Sequence, residues 1–312
     1  MSMGRREFLR TGLLATGAAA GGVAVKEGLA AERAEAAGRK MTVALTPDGQ
    51  LVAVPTGAPA VPLPPTAAEV RRGIPGRKWV MVIDLAKCDG CGNCVSACRK
   101  AHFIPTDREW IRLYKKQDSP ETAPYWFPKP CFHCDNPPCT KVCPVGATFK
   151  RDDGIVLIDN ERCIGCRFCM AACPFSARVF NWSRPDDPGA SRPGAAEPEG
   201  GLPRRVGTVE KCDFCPDNLR QGKMPHCVMA CDMTAIYFGD QNEDAVTNSA
   251  GETVRLAQLL RDRAGYRHLD DLGTSPRVYY LPPSNRRFPA PGEAGAHTGK
   301  EPAPVAETHG LE

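Results

Sequence analysis

The stretch CIGCRFCMAAC at residues 163–173 repeats the cysteine spacing of CDGCGNCVSAC at residues 88–98, 75 residues earlier. Two related groups occupy residues 131–143, spaced C-x2-C-x4-C-x3-C, and residues 212–231, spaced C-x2-C-x11-C-x3-C. The four groups contain all 16 cysteines of the 312-residue chain. Such clustering at fixed intervals indicates ligands for metal centres rather than side chains that pack a core.

The spacing within each group suits an iron–sulfur cubane. Three closely spaced cysteines can wrap a tight loop around three corners of a [4Fe-4S] cluster, with backbone N–H groups turned toward the sulfurs. The fourth cysteine, three residues further on, points away from that loop and ligates the other cluster of a two-cluster ferredoxin. Sixteen cysteines therefore predict four [4Fe-4S] clusters, in two modules whose groups exchange their last cysteines.

The residue after each last cysteine indicates which groups exchange. Proline follows the last cysteine of the second and third groups, at Pro144 and Pro174, as in bacterial ferredoxins, but not that of the first and fourth. We therefore pair second with third and first with fourth. The predicted ligand sets, numbered as clusters 1 to 4 below, are Cys88, Cys91, Cys94 and Cys231 (cluster 1); Cys212, Cys215, Cys227 and Cys98 (cluster 2); Cys131, Cys134, Cys139 and Cys173 (cluster 3); and Cys163, Cys166, Cys169 and Cys143 (cluster 4).

Two other uses of the cysteines remain open at this point. Zinc sites favour two separated pairs of ligands, whereas three of these groups place a third cysteine close behind the second. A disulfide framework is compatible with an exported chain, but such frameworks usually serve much shorter chains, and the repeated spacing would then be accidental. Haem c attachment is excluded, because C-x-x-C-H occurs nowhere in the sequence.

Composition and charge limit the classes of partner. The 30 prolines and 30 glycines favour loops and turns over long helices. The formal charge of +4 falls to about −4 when four clusters are included, since each carries 2− with its thiolates. This argues against nucleic acid as a partner. Beyond the first thirty residues no apolar run approaches the length of a bilayer span, so we expect no transmembrane segment in the mature chain.

The N-terminus, MSMGRREFLRTGLLATGAAAGGVAV, resembles a twin-arginine signal peptide. Arg5 and Arg6 precede Phe8 and a moderately apolar stretch, and a small-residue cleavage site fits residues 34–36. We therefore expect a signal peptide over residues 1–36 and a periplasmic mature protein. Because this route exports folded proteins, the thiols would meet iron in a reducing cytosol before they reach an oxidising compartment.

The remaining segments have a simple predicted organisation. A hairpin around Thr46-Pro47-Asp48-Gly49 and a proline-rich arm occupy residues 37–77. The cysteine region, residues 78–240, contains the predicted strands KWVMVID (78–84) and GIVLID (154–159), and a Pro/Gly-rich insertion at 183–205. Residues 241–286 should form a helix over 252–264 and an extended segment. Residues 287–312 are predicted to be a disordered tail.

Few other side chains are candidates for the sites. His133 lies inside the second cysteine group and His226 precedes Cys227, so we expect both to be structural or to donate hydrogen bonds to cluster sulfurs. Trp110, Trp126 and Trp182 are expected to pack around the clusters. Neither a dinucleotide fingerprint nor a nucleophile motif is present, so we predict no catalytic residues in this chain.

At residues 78–240 the chain resembles the four-cluster iron–sulfur subunits of the dimethyl sulfoxide reductase (complex iron–sulfur molybdoenzyme) family. The motifs that carry the resemblance are CFHCDNPPCTKVCPVGA (131–147), GIVLIDNERCIGCRFCMAACPFSARVF (154–180) and KCDFCPDNLRQGKMPHCVMACDMTAIYFGD (211–240). Two places depart from the family pattern: Asp232-Met233, where many relatives have proline and a small residue, and Lys129-Pro130, where arginine is frequent. The resemblance implies that all sixteen cysteines are cluster ligands, with the same exchange of last cysteines that the spacing predicts.

The resemblance also implies a fold and a function. The fold is α+β, with two interleaved bacterial-ferredoxin-like modules related by a pseudo-twofold, rich in loops and short β-hairpins. The protein would relay single electrons between an integral membrane quinone-reactive subunit and a molybdopterin-type catalytic subunit, and would be an enzyme only as part of that complex. The alternative partners are a multihaem cytochrome reductase and a hydrogenase.

Overall fold

The computed structural model describes residues 66–117, 122–183 and 205–283, together with the backbone of Met41–Leu45 and Leu51–Pro55. The predicted signal peptide, the C-terminal tail and nearly all of the 183–205 insertion lie outside the described residues. The chain divides into two compact units, Met1–Leu63 and Pro64–Glu312. In the first unit, Met41–Leu45 (β1) pairs with Leu51–Pro55 (β2) as an antiparallel hairpin.

Short elements make up the described part of the second unit. The strands are β3 (Trp79–Asp84), β4 (Arg112–Lys116), β5 (Tyr125–Lys129), β6 (Thr148–Lys150), β7 (Val156–Ile158), β8 (Val179–Phe180), β9 (Val209–Glu210), β10 (Ile236–Asp240), β11 (Ala245–Thr247), β12 (Thr253–Arg255), β13 (Tyr266–Arg267) and β14 (Val278–Leu281). The helices are α1 (Ala67–Arg72), α2 (Asn93–His102), α3 (Pro138–Lys141), α4 (Phe168–Ala171), α5 (Pro216–Arg220), α6 (His226–Met229) and α7 (Leu256–Asp262). Mixed helix and strand content agrees with the predicted α+β class.

A six-stranded sheet, ordered β12-β11-β10-β3-β14-β13, lies at the centre of this unit. The strand β3 is flanked by an antiparallel neighbour, β10, and a parallel neighbour, β14. Residues 80–84 are all buried, which explains why the strand has a continuous apolar run rather than an alternating pattern. The strands predicted at 78–84 and 154–159 are confirmed as β3 and β7.

The C-terminal segment differs from the sequence-based division. We separated residues 241–286 from the cysteine region, but β14 is an interior strand of the same sheet as β3. The predicted 252–264 helix also begins later, at Leu256, because Thr253–Arg255 pair with β11 as a strand. Asp244 fixes the helix start, since its side-chain Oδ1 accepts the backbone N–H of Ala257 at 2.7 Å.

Four of the helices carry cysteines and lie on one another in two pairs. The helix α2 contains Cys94 and Cys98 and packs against α6, which contains Cys227; α3 and α4 form the second pair. Several cysteines belong to the same buried cluster as Phe132 and Phe214, so the predicted cluster ligands lie in the core itself. Within the described ranges no helix has the length and apolarity to cross a membrane.

Candidate iron–sulfur centres

The cysteines converge in fours. Each of three cavities is lined by three cysteines of one group and the last cysteine of another: Cys131, Cys134, Cys139 and Cys173; Cys163, Cys166, Cys169 and Cys143; and Cys212, Cys215, Cys227 and Cys98. We number the sets 1 to 4 after the predicted clusters. In set 1, Cys231 lies close enough to Cys88 and Cys94 for its thiolate charge to raise the pKa of both thiols, after the larger effect of burial. The structure therefore brings together the same four sets that the spacing predicts.

The tight loops that present the cysteines depend on glycine at two positions. Gly90, at φ +81°, lies against Trp126, and a Cβ there would fall 2.2 Å from the indole ring. Gly165, at φ +70°, would place a Cβ 2.1 Å from the carbonyl oxygen of Gly207. Positive φ and close approach together exclude a side chain. The contact with Gly90 also confirms the packing role expected for Trp126.

The buried thiols of these sets are neutral unless a cation is bound to them. Burial raises the pKa of Cys88, Cys94, Cys134 and Cys212 to about 12, so unligated thiols would remain protonated at neutral pH. A bound cation reverses this preference and holds the sulfur as thiolate. Four soft sulfur donors in each set fit a [4Fe-4S] cluster.

One thiol has the opposite electrostatic character. Burial acts to raise the pKa of Cys143, but backbone N–H groups at residues 145–148 outweigh that effect and lower it. These N–H groups follow the last cysteine of the second group, whereas the spacing predicted such groups only around the three closely spaced cysteines. They stabilise a thiolate at the one position of this set that comes from another group.

Successive cysteine sets lie close enough for their thiolates to interact. Besides the larger effect of burial, the thiolate charge of Cys94 in set 1 raises the pKa of Cys227 in set 2. Cys131 in set 3 acts similarly on Cys212 in set 2, and Cys139 in set 3 on Cys169 in set 4. The spatial order is therefore 1-2-3-4. Set 2 is buried throughout, whereas each end of the line has one exposed cysteine, Cys91 in set 1 and Cys166 in set 4.

His102 was missed by the sequence analysis. Its Nε2 lies 3.3 Å from the Sγ of Cys215, and its ring packs 4.5 Å from that of Trp110. The missed signal is the helical spacing, because His102 lies one turn after Cys98 on α2 and therefore faces the same set. Trp110 is buried beside it, as expected for a packing residue.

The other predicted histidines and Trp182 have different environments. The Nδ1 of His133 accepts the backbone N–H of Val156 at 3.0 Å, and its ring stacks on Phe214, so this residue is structural. The ring of His226 meets that of His102 edge-on at 6.1 Å. Trp182 does not pack in the interior: it is 67% exposed and lies against Phe180 at the surface.

Comparison with known proteins agrees with this geometry. Residues 87–147, 122–186 and 155–232 each match a family model described as a 4Fe-4S dicluster domain. The chain is 38% identical to a subunit of the selenate reductase of Mesobacillus selenatarsenatis, with 65% of this chain and 72% of that protein aligned. It is 37% identical to a protein of Halobacterium salinarum named as a dimethyl sulfoxide reductase iron–sulfur subunit, over 64% and 78% of the two chains.

A third relative is the iron–sulfur cluster-binding subunit of menaquinone reductase from Nitratidesulfovibrio vulgaris, 37% identical over 65% of this chain and 88% of that protein. The chain belongs to the iron–sulfur subunits of the dimethyl sulfoxide reductase family. As an iron–sulfur subunit, it carries 4Fe-4S clusters and transfers electrons within a reductase complex; it is not the catalytic subunit.

The exchange of last cysteines in the iron–sulfur subunit gives a direct prediction. In Cys173→Ser the cluster bound mainly by the second group should be perturbed, although residue 173 belongs to the third. Its electron paramagnetic resonance spectrum should therefore match that of Cys139→Ser and differ from that of Cys169→Ser. Iron content should fall by no more than about a quarter, the share of one cluster in four.

Cys231→Ser provides the matched variant in the other module. It should reproduce the spectrum of Cys94→Ser, because Cys231 lies with Cys88 and Cys94. Spectra in which each substitution disturbs only the cluster of its own sequence group would rule out the exchange.

Proposed function

We propose that the protein is a periplasmic electron carrier with four [4Fe-4S] clusters, held by the sixteen cysteines in the sets given above. It relays single electrons between a quinone- or quinol-reactive integral membrane subunit and a molybdopterin-type catalytic subunit. The two modules are related by a pseudo-twofold, with α2 and α6 in one and α3 and α4 in the other; the packing of each helix pair supports this arrangement.

One observation carries the proposal: the cysteine sets form a line with an exposed cysteine at each end. When bound, each cluster accepts and returns one electron. The chain supplies the thiolates, the buried surroundings of set 2, and the backbone N–H groups near Cys143. No other chemistry is required of it, because substrate conversion belongs to a partner with its own cofactor.

The surface at the set 4 end supports docking of a protein. Ile164, Phe168 and Trp182 are 64%, 60% and 67% exposed, and Arg167 lies over the Trp182 ring. Ile164 and Arg167 line the same cavity as Cys166. An apolar patch of this kind on a water-facing surface usually marks an interaction site. We name this surface the set 4 port.

The set 1 end has a different surface, which we name the set 1 port. Here Cys91 is exposed, and Met229 and Met233, each two residues from Cys231 along the chain, are 48% and 41% exposed. Asp232 accepts a hydrogen bond from the side-chain amide of Asn93 at 2.7 Å, so this surface carries a negative charge as well as apolar side chains. Two unlike ports favour two unlike partners, one at each end of the line.

The kinds of partner follow from the relatives. Their names include a selenate reductase, a dimethyl sulfoxide reductase and a menaquinone reductase. A quinone-reactive subunit and a catalytic reductase subunit would account for the two ports. A multihaem cytochrome or a hydrogenase at one port is the alternative that the next experiment distinguishes.

Co-purification of the tagged protein from its native membranes, followed by mass spectrometry, tests this assignment. We expect two partners, an integral membrane subunit and a molybdopterin subunit. Phe168→Asp, at the set 4 port, should reduce the recovery of one partner at least tenfold, because it places a charge in an apolar contact. Asp232→Lys, at the set 1 port, should cause loss of the other partner, because it reverses the negative charge of that surface.

The two variants control for each other, and iron analysis shows that both retain their clusters. If either variant loses both partners, the two ports are not separate. If both variants keep both partners, neither surface is a port. Recovery of a cytochrome or hydrogenase in place of the molybdopterin subunit would select the alternative partner.

Periplasmic location rests on the N-terminal sequence, with Arg5 and Arg6 as the export determinant. Replacing both with lysine should leave the protein in the cytosol, measured by cell fractionation and immunoblotting. Arg10→Lys is the matched control, because it makes the same chemical change outside the arginine pair, and it should export normally. Undiminished export of the double variant would contradict the assignment.

A further inference from the structure

Arg178 is a buried cation without a carboxylate partner in the described part of the chain. It is 3% exposed and lines the cavity of set 3. Its Nη1 donates to the hydroxyl of Thr148 at 3.2 Å, and its Nη2 has no nitrogen or oxygen acceptor among the described residues. A buried charge left unpaired is strongly destabilising. Its counter-charge must therefore come from something other than an acidic side chain.

Sulfur atoms of two cysteine sets surround this guanidinium. Arg178 contacts the thiol of Cys139 in set 3 and that of Cys169 in set 4. An arginine guanidinium does not lose its proton in a protein. Arg178 is therefore a fixed positive charge beside the thiols of sets 3 and 4.

We propose that Arg178 is the shared counter-cation of clusters 3 and 4 and raises the reduction potentials of both. This inference rests on the proposed function, since it requires clusters in sets 3 and 4. A cluster with its four thiolates carries 2− when oxidised and 3− when reduced. A fixed positive charge stabilises the reduced form more, because the Coulomb energy grows with the charge.

The shared position has a second consequence. One electron leaves one cluster, which returns from 3− to 2−, and enters the other, which changes from 2− to 3−. The same guanidinium stabilises the electron on either side, so Arg178 lowers the energy of the reduced state of both clusters. Arg178 keeps its proton throughout, and no proton is exchanged in this step.

The surroundings of set 2 show the contrast. The nearest buried acid there is Asp213, whose Oδ1 accepts the backbone N–H of Cys215 at 2.8 Å. After burial, its charge is the main cause of the raised pKa of Cys212 and Cys215, and Lys211 offsets it only partly at Cys212. Beside set 2 the buried Asp213 is accompanied by the buried Lys211, whereas Arg178 beside sets 3 and 4 has no carboxylate partner among the described residues.

Anaerobic redox titration of the purified mature protein, followed by paramagnetic resonance, tests the proposal. Cys139→Ser and Cys169→Ser assign the signals of clusters 3 and 4. In Arg178→Gln the equilibrium constant for reducing each of these clusters should fall at least tenfold, about 59 mV for one electron. Clusters 1 and 2 should keep their potentials. Arg178→Lys retains the charge and should shift the potentials of clusters 3 and 4 much less than Arg178→Gln does.

Arg167→Gln is the matched control. Arg167 lines the cavity of set 4 but is exposed, so water screens its charge and its loss should change the potentials less than threefold. Full iron content with unchanged potentials in Arg178→Gln would overturn the counter-cation and leave the proposed function standing. Wild-type protein without clusters would instead overturn the proposed function.

The assembly of the clusters gives a second readout. If Arg178→Gln fails to retain clusters 3 and 4 while Arg178→Lys retains them, positive charge at this position is required, as proposed. Loss of the same clusters from both variants would show that the shape of arginine, not its charge, is needed, and would overturn the proposal.

Discussion

Bonding between iron and buried thiolates is the interaction on which the rest of this structure depends. Burial raises the pKa of most of the cysteines, and without a cation they would be neutral thiols around unfilled cavities. These cavities lie within the main apolar cluster, beside Phe132 and Phe214. The short helices and two- to six-residue strands have little packing of their own, so ligation and folding must be coupled.

The linear order of the cysteine sets connects this coupling to function. Set 2 is buried throughout and set 3 has no exposed cysteine, while Cys91 and Cys166 bring sets 1 and 4 to the surface. On the proposed function, electrons enter and leave at these two exposed sets. On the proposed function, the set 4 port and the set 1 port select different partners, and the buried charge of Arg178 separates the potentials of clusters 3 and 4 from those of clusters 1 and 2.

Local sequence predicted the site better than it predicted the fold. Cysteine spacing and the prolines at 144 and 174 were sufficient to group the sixteen thiols, because ferredoxin-like loops are short and follow strict geometry. The position of β14 beside β3 was missed, since a four-residue strand paired across nearly 200 residues leaves no local pattern. Arg178 was missed for the same reason, because its contact with Cys139 joins distant groups, whereas the local signal for His102, one helical turn after Cys98, was overlooked.

Metal and sulfide analysis of the anaerobically purified mature protein tests the central claim most directly. Four [4Fe-4S] clusters require about 16 iron atoms and about 16 acid-labile sulfides per chain, with a brown colour that dithionite bleaches. The account predicts that stoichiometry. A folded, colourless protein with zinc and no sulfide would contradict it.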